Sequence, residues 1–479
     1  MPALLVALPL VVGVLLHAHV LLPFRVVTLM VALLLIVAVW LRSSSVASIM
    51  LVGAALALGY VIAEVRSPRC KVPYDCYLEL VVRLDEIPSA RTDYRLSEGC
   101  IEFWRSDSTW YKSGDNVLVW LRADTLAEGD RVMTVGRVSK QMSRIESYDR
   151  LLRNRGFVGG VGIDDSLIID VEHGAVSLHS RSVRKLERYM RDTLSHANSE
   201  AMVVGSKRLM SQHLREIYSR TGLAHLMAVS GLHLGIVMLI IGWILRPLVL
   251  LHRGYQLRSL LIVALLWVYV FVSGGSASVV RAALMFSILQ LANASSLHYS
   301  SLNSLLVAII AMVVYRPNYV YDISFQLSVL AVVGIVVWGV PAMRLLSGNG
   351  SVVWWLLSTI AISVVATLWT MPIVSHTFGA IPLVGIIVTP VAMLLSYVII
   401  GSGLFALLLP HPMALPFARV MDFVSNIENI IVERAASWHL ASIDCQMTST
   451  EVAIIYGIYA LITLAMWSIN EKSDNFATR

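Results

Sequence analysis

Charge is what this chain has least of. Asp, Glu, Lys and Arg make up 14% of its 479 residues, against roughly a quarter in ordinary soluble domains. That scarcity excludes a single charge-coated globule. Cysteine is scarce too: four residues are too few for a disulfide scaffold. No G-x-x-x-x-G-K-[S/T] loop occurs, so no segment is built to cradle ATP phosphates. Neither H-E-x-x-H nor H-x-H-x-D-H occurs, so no metal site and no cofactor are expected. What fills the chain instead is apolar: 57% of residues are hydrophobic and the mean hydropathy is +0.73. This is the composition of a polytopic membrane protein. The formal charge of +6 and pI of about 9.1 suit an acidic partner. Cytoplasmic Lys and Arg give many membrane proteins the same bias.

The expected fold is a polytopic α-helical membrane protein with an inserted small β-barrel, in four parts. Residues 1–64 hold about three apolar helices, at 2–22, 24–41 and 46–64. The first has no basic n-region and is expected to be retained rather than cleaved. His17 and His19 near its end read as interfacial. Residues 65–178 are charged and lack any membrane-length run. Short alternating runs there read as strands: Cys76–Leu84, Cys100–Trp104, Asn116–Ala123, Asp130–Val138 and Ser166–Glu172. Ser113-Gly114-Asp115 and Glu128-Gly129-Asp130 read as turns into two of them. Such a set suggests a closed barrel of the OB type. Residues 179–221 read as an amphipathic helical linker lying on the membrane or on the membrane body. Residues 222–470 hold the main membrane domain, with spans near 223–246, 258–273, 277–294, 301–316, 323–340, 352–371, 383–409 and 451–468. The stretch 383–409 is long enough for two short or broken helices. Arg246, Arg253 and Arg258 crowd one loop, which places that loop in the cytoplasm and the barrel outside.

Polar residues inside the apolar runs carry the functional reading. Gly222–Gly235 (GLAHLMAVSGLHLG) contains His225, Ser230 and His233, which a simple anchor would not include. GGSAS breaks a second run at 274–278, and Arg281 follows in the next turn. A guanidinium there either binds phosphate from a cavity wall, pairs with Asp322, or snorkels to the interface. Asp322 and Gln326 lie four apart, and Ser324 and Ser328 add polar lining. Ser278, Asn303, Ser375 and His376 are of the same kind. All of these equally fit packed helices whose polar groups bond to neighbouring helices. In the insertion, Trp104, Trp110, Tyr111 and Trp120 with Arg105, Lys112 and Arg122 have the ring-and-charge makeup of a single-strand binder. They equally fit barrel core and ordinary surface. Two of Cys70, Cys76 and Cys100 could be bridged on an oxidising side, with the pairing open.

Several of these stretches carry a resemblance. Ser219–Gly235 (SRTGLAHLMAVSGLHLG) resembles the hallmark of the ComEC competence family, inner-membrane channels for DNA uptake. GGSASVVRAALM (274–285) resembles that family's G-x-S-x-S-x-x-R-A-x-x-M segment. RPNYVYDISFQLSVLAVVGI (316–335) resembles its Pro…Asp…Phe-Gln-Leu-Ser segment, and MPIVSHTFGAIPLVGIIVTP (371–390) its Pro…Phe-Gly segment. Thr389 stands where the family often has Asn. YDRLLRNRGFVGGVGI (148–163) is similar to the family's joint between barrel and membrane part. The resemblance implies an OB-like domain in the insertion and a channel passing single-stranded DNA into the cytoplasm. His225, Ser230, His233, Ser278, Arg281, Asp322, Gln326 and Ser328 become candidate pore residues. Trp104, Trp110, Trp120 and Arg105 become candidate DNA contacts. Implied partners are single-stranded DNA, membrane lipids, a separate cytoplasmic ATP-driven motor or helicase, a periplasmic DNA-binding protein and, as an open alternative, a separate nuclease. Many longer members end in a metallo-β-lactamase-like domain. This chain reads as a short form without it, and no enzyme activity is expected. Oligomeric state is left open.

Two other function classes compete. A secondary transporter of a small solute would use broken, glycine-rich helices, though no internal repeat is visible. An intramembrane hydrolase would need Ser230 as nucleophile and His233 as base. Ala228 and Leu232 stand where the glycines of a G-x-S-x-G elbow belong.

Overall fold

The computed structural model describes residues 3–20, 22–40, 45–67, 70–86, 88–90, 94–122, 126–143, 145–189, 193–227, 229–295, 300–345, 352–439 and 441–477. Contacts divide the chain into two compact units. The first comprises 1–188, 206–209 and 241–325; the second comprises 189–205, 210–240 and 326–479.

The first unit opens with three apolar helices, α1 (Leu4–His17), α2 (Phe24–Trp40) and α3 (Ser45–Arg66). Both α1 and α2 pack on α3. Glycine sets the α1–α3 distance. A Cβ on Gly59 would lie 2.1 Å from the Leu10 carbonyl oxygen, and one on Gly13 would lie 1.9 Å from that of Leu56. Small residues at such crossings let membrane helices approach backbone to backbone. The Tyr60 hydroxyl closes the α1–α2 connection, accepting from the Leu22 amide at 2.6 Å and donating to the Val20 carbonyl at 3.0 Å. His17 pairs with Glu64 at 2.7 Å, so it holds α1 to α3 as well as lying at a helix end.

The insertion folds as a barrel. Its strands are β1 (Tyr77–Leu84), β2 (Ser89–Ala90), β3 (Arg95–Ser106), β4 (Thr109–Leu121) and β5 (Arg131–Ser139), followed by helix α4 (Glu146–Asn154) and strands β6 (Gly159–Ile163) and β7 (Ile168–Glu172). The ring runs β1-β3-β4-β6-β5 and returns to β1, with β4 and β6 parallel. Closure leaves no unpaired edge in the ring. Alternate residues face inward: Leu80, Val82 and Leu84 meet Val117, Val119, Leu121, Val132, Val138, Val161 and Ile163.

Two features of the barrel differ from the sequence reading. The fifth ring strand is β6, the glycine-rich GGVGI that reads as a connector. Its glycines hide the alternation, yet they let Trp120 lie against the backbone at Gly160. The run at 166–172 forms β7, which only flanks β5. Nor does Ser113-Gly114-Asp115 start a strand. It is a bulge inside β4, where the β3–β4 register skips between Ile101 and Phe103. The hairpin turn lies instead at Asp107 and Ser108, both with positive φ.

After α5 (Leu178–Glu187) the chain runs through α6 (Thr193–Val204), α7 (Gln212–Arg220) and α8 (Gly231–Ile244). Helices α5 and α7 each bury one face, with Val183 and Leu186, and Leu214, Ile217 and Tyr218. Helix α6 is covered all round: every residue from Ser195 to Val204 is buried. Its polar side chains are matched by polar residues of another helix, a pairing that periodicity does not reveal. Helices α9 (Gly254–Val272), α10 (Ala277–Ala294) and α11 (Ser301–Tyr315) return to the first unit. Next come α12 (Ile323–Gly334), a π-helical turn at Ile335–Gly339, α13 (Val340–Leu345) and α14 (Val352–Phe378). The chain ends with β8 (Ala380–Pro382), α15 (Gly385–Leu408), α16 (His411–Ala436), β9 (Ser442–Asp444) and α17 (Ser449–Ala477). The stretch expected to break in two is one helix, α15, which carries Pro390 in its first turns without interruption.

Among the described residues, seven helices are long and apolar enough to cross a membrane and four more are shorter and apolar. The protein is a multi-pass membrane protein with a small closed barrel.

Candidate functional site

The first cluster is built at the start of α10. Gly274 and Gly275 both take positive φ (73° and 62°), which ends α9 in a tight turn. His179 of α5 packs against that turn, its Nδ1 2.9 Å from the Val272 carbonyl. Ser276 then opens α10. The Ser278 hydroxyl donates to the Ser324 carbonyl at 3.3 Å, joining the first turns of α10 and α12. Arg281, one turn further on, is 2% exposed. A buried guanidinium among membrane helices is costly unless it is paired or hydrogen-bonded.

Asp322 lies beside this cluster with a structural task. Its Oδ1 accepts from the Phe325 amide at 3.2 Å, capping α12. The preceding turn, 316–321, is a junction. Arg316 donates to the Arg155 carbonyl at the end of α4, and Tyr321 donates to the Val14 carbonyl of α1. Barrel, first helix and α12 therefore meet in one polar stretch of the sequence.

The second cluster is at the start of α8. Residues 222–227 and 229–230 are not helical, so α8 begins at Gly231, eight residues later than the run of apolar residues suggests. Ser230 stands at its N-terminus, with the His233 amide 3.5 Å from its hydroxyl. The serine is positioned as a cap of the helix. His233 is fully buried, and neither ring nitrogen has a hydrogen-bond partner. His225 is exposed, with Nδ1 3.0 Å from the Gly222 carbonyl. Gln326 and Ser328 belong, like these residues, to the second unit, whereas Ser278, Arg281 and Asp322 belong to the first. Asn303 lies near the start of α11. Ser375 donates to the Cys445 carbonyl, and His376 Nδ1 lies 2.8 Å from the Met447 carbonyl.

Sequence reasoning missed the π-helical turn after α12. Trp338 on it packs edge-on to Trp369 of α14 and Tyr459 of α17, with centroids at 5.3 and 5.2 Å. A π-turn keeps the helical pattern of apolar residues, so only its recurrent place near functional sites marks it.

In the barrel the β3–β4 hairpin gathers most of the aromatic candidates. Phe103 pairs with Lys112, Trp104 with Tyr111 and Arg105 with Trp110 across the strands. Because residues alternate, Phe103, Arg105, Trp110 and Lys112 share one face, and Trp104 and Tyr111 the other. Trp104 and Tyr111 stack at 4.7 Å, and the Arg105 guanidinium lies 5.9 Å from the Trp110 ring. Trp120 does not join them. It packs with Leu118, Met142, Leu152 and Phe157 under α4. The barrel cations are mostly balanced: Arg105 pairs with Glu79, Arg83 and Arg131 share Glu102, Arg155 pairs with Glu98, and Arg122 lies 3.5 Å from Asp164.

No bridge links the three barrel cysteines in this structure: Cys70 is half-buried, Cys76 exposed and Cys100 buried. Burial pushes the Cys70 and Cys100 thiols up, which lowers their thiolate fraction. Under reducing conditions maleimide labelling is expected to hit Cys76 first and Cys100 last. Peptide mass spectrometry at timed intervals reads the order. Cys100 modified as fast as Cys76 would contradict this packing.

A model of the competence protein family matches residues 202–472, more than half of the chain. This chain belongs to that family. ComE operon protein 3 of Bacillus subtilis (strain 168) is 28% identical over 129 residues, covering 27% of this chain and 16% of that protein. An uncharacterized protein of Aquifex aeolicus (strain VF5) is 28% identical over 271 residues, covering 56% of this chain and 59% of that protein. Each match spans less than two thirds of the relative. No solved structure matches the chain. The family region contains both membrane clusters, around His233 and around Arg281, and begins inside α6; the barrel precedes it.

Proposed function

We propose that this protein is the membrane channel through which single-stranded DNA enters the cytoplasm during natural transformation. The family match over 202–472 is the observation that carries the reading. A polyanion needs many phosphate contacts, each weak enough to release. Arg281, His233 and the hydroxyls beside them supply polar groups along otherwise apolar helices. Arg281 and His233 are each covered in the structure, so on this reading each is uncovered only when DNA enters. The cytoplasmic membrane is the proposed location, with the barrel outside, on the strength of the basic loop holding Arg246, Arg253 and Arg258. A cytoplasmic motor supplies the energy, and a periplasmic DNA-binding protein hands over the strand. Deleting the gene is expected to abolish transformation while leaving growth unchanged. Unchanged transformation frequency would refute the proposal, and solute-driven current in DNA-free proteoliposomes would then favour the transporter reading.

The hairpin is the proposed first contact with DNA. A stacked base is worth about 1–3 kcal/mol, so Trp110→Ala should weaken oligonucleotide binding by full-length protein in nanodiscs about 5- to 150-fold. Trp120→Phe, under α4, should leave binding unchanged. Equal affinities for wild type and Trp110→Ala, measured by fluorescence anisotropy, would remove the hairpin from the DNA path.

A further inference from the structure

The most unusual packing in the second unit is a polar core between α6, α7 and α16. Ser195, Asn198, Ser199 and Glu200 on α6, Tyr218 on α7, and Ser425, Glu428 and Asn429 on α16 are all 5% exposed or less. Some of this core is well bonded. Ser195 donates to Asp422, the Ser425 hydroxyl donates to the Ser195 carbonyl at 3.0 Å, and the Tyr218 hydroxyl donates to Asn429 Oδ1 at 2.9 Å. His196 and Glu200 pair at 3.2 Å. Glu428 is different. It is 1% exposed and neither carboxyl oxygen makes a well-formed hydrogen bond. Asn198 is its polar neighbour and is also the neighbour of Tyr218. Both atoms of the Asn198 amide and Nδ2 of Asn429 lack well-formed bonds as well.

We propose that Glu428 is a proton-binding site, holding a proton at neutral pH at the end of a polar chain that runs through Asn198 and Tyr218 to Asn429. Ionised, Glu428 can only accept hydrogen bonds; protonated, it gains an O–H that can be given to the Asn198 side-chain oxygen while its other oxygen accepts an amide N–H. The surroundings offer no countercharge. On α6 the charged groups are His196 and Glu200, which pair with each other. On α7, His213, Arg215, Glu216 and Arg220 are exposed. Helix α15 carries no charged residue, and on α16 itself Arg419, Glu433 and Arg434 are exposed while Asp422 takes the Ser195 hydroxyl. An isolated carboxylate in such a place takes up a proton rather than remain charged. Helix α16 is not one of the seven long apolar spans, and burial holds the Glu428 carboxyl above the usual carboxylate range.

With the folded value raised above the unfolded one, Glu428 costs nothing below the ordinary carboxylate range, and its cost grows as pH rises toward the folded value. The test uses full-length protein in detergent with two readouts, infrared spectroscopy of the protonated carboxyl stretch and thermal unfolding from pH 5 to 9. Wild type is expected to show the stretch at pH 7 and to lose it as pH rises. Glu428→Gln, which keeps the shape and a donor, should lack that stretch and unfold with a flatter pH dependence. Asn198→Asp, which adds a second carboxyl, should move the loss of the stretch to higher pH. A wild-type spectrum without the stretch at pH 7 would overturn the proposal. So would a pH profile unchanged by Glu428→Gln. An unfolding temperature that rises with Na⁺ at fixed pH would also overturn it, by assigning the carboxylate to a cation instead. None of these readouts depends on DNA uptake.

Discussion

Replacing Arg281 with Ala is expected to lower DNA uptake about a hundredfold while the protein still reaches the membrane. The magnitude follows from what a guanidinium contributes to a phosphate contact. Charge-assisted hydrogen bonds are worth about 1.5–3 kcal/mol, and each 1.4 kcal/mol is about tenfold. Arg281 is 2% exposed on a helix otherwise made of Ala, Val, Ile, Leu, Met and Phe with a few hydroxyls and amides. Deleting it removes the one cation of that helix. Arg281→Lys keeps the charge but not the planar fork, so it should recover only part of the activity. Transformation frequency normalised to immunoblotted membrane protein is the measurement. Uptake at wild-type level by a well-accumulated Arg281→Ala protein would show that the residue only packs.

The second large effect is structural. Gly59→Ala is expected to prevent α1 from seating on α3. The added carbon would lie 2.1 Å from the Leu10 carbonyl oxygen, with the Leu10 carbonyl carbon and Cα also within contact range. These are backbone atoms that cannot turn aside, so the helices must separate. Overpacking of a fitted interface costs about 1–3 kcal/mol or more, and separation here also strains the His17–Glu64 pair at the far end. Membrane accumulation and detergent thermal stability should both fall. Gly457→Ala on α17, where an added Cβ meets nothing within 4 Å, is the matched control. Equal stability of the two variants would contradict the close α1–α3 crossing.

How much of this could be read in advance depends on which force fixes each element. Long apolar helices announce themselves by composition, so nearly all of the spans are legible to within a few residues. The start of α8 is not, because the non-helical residues 222–227 before it are nearly as apolar as the helix that follows. Strands with alternating burial, such as β1 and β5, were readable. Strand β6 was not, because its place in the ring is set by glycine at a close approach rather than by side-chain alternation. The buried face of α6 was illegible for a related reason. Its Ser, His, Asn and Glu are polar by type and buried by pairing, and pairing is a property of two distant segments. The polar clusters around Arg281 and His233 stood out in sequence because membrane helices carry such residues only with cause. Their local roles did not: Asp322 caps α12 and Ser230 stands at the start of α8, which residue spacing alone cannot distinguish from pore lining.

The most direct test of the channel is where labelled DNA stops. Cells lacking this protein would be complemented with wild type or with Arg281→Ala, given fluorescent double-stranded DNA, then treated with external nuclease and fractionated. The account predicts that wild type delivers label to the cytoplasm, whereas the empty strain and the Arg281→Ala strain hold it outside the cytoplasmic membrane. Label in the cytoplasm of the empty strain would contradict it.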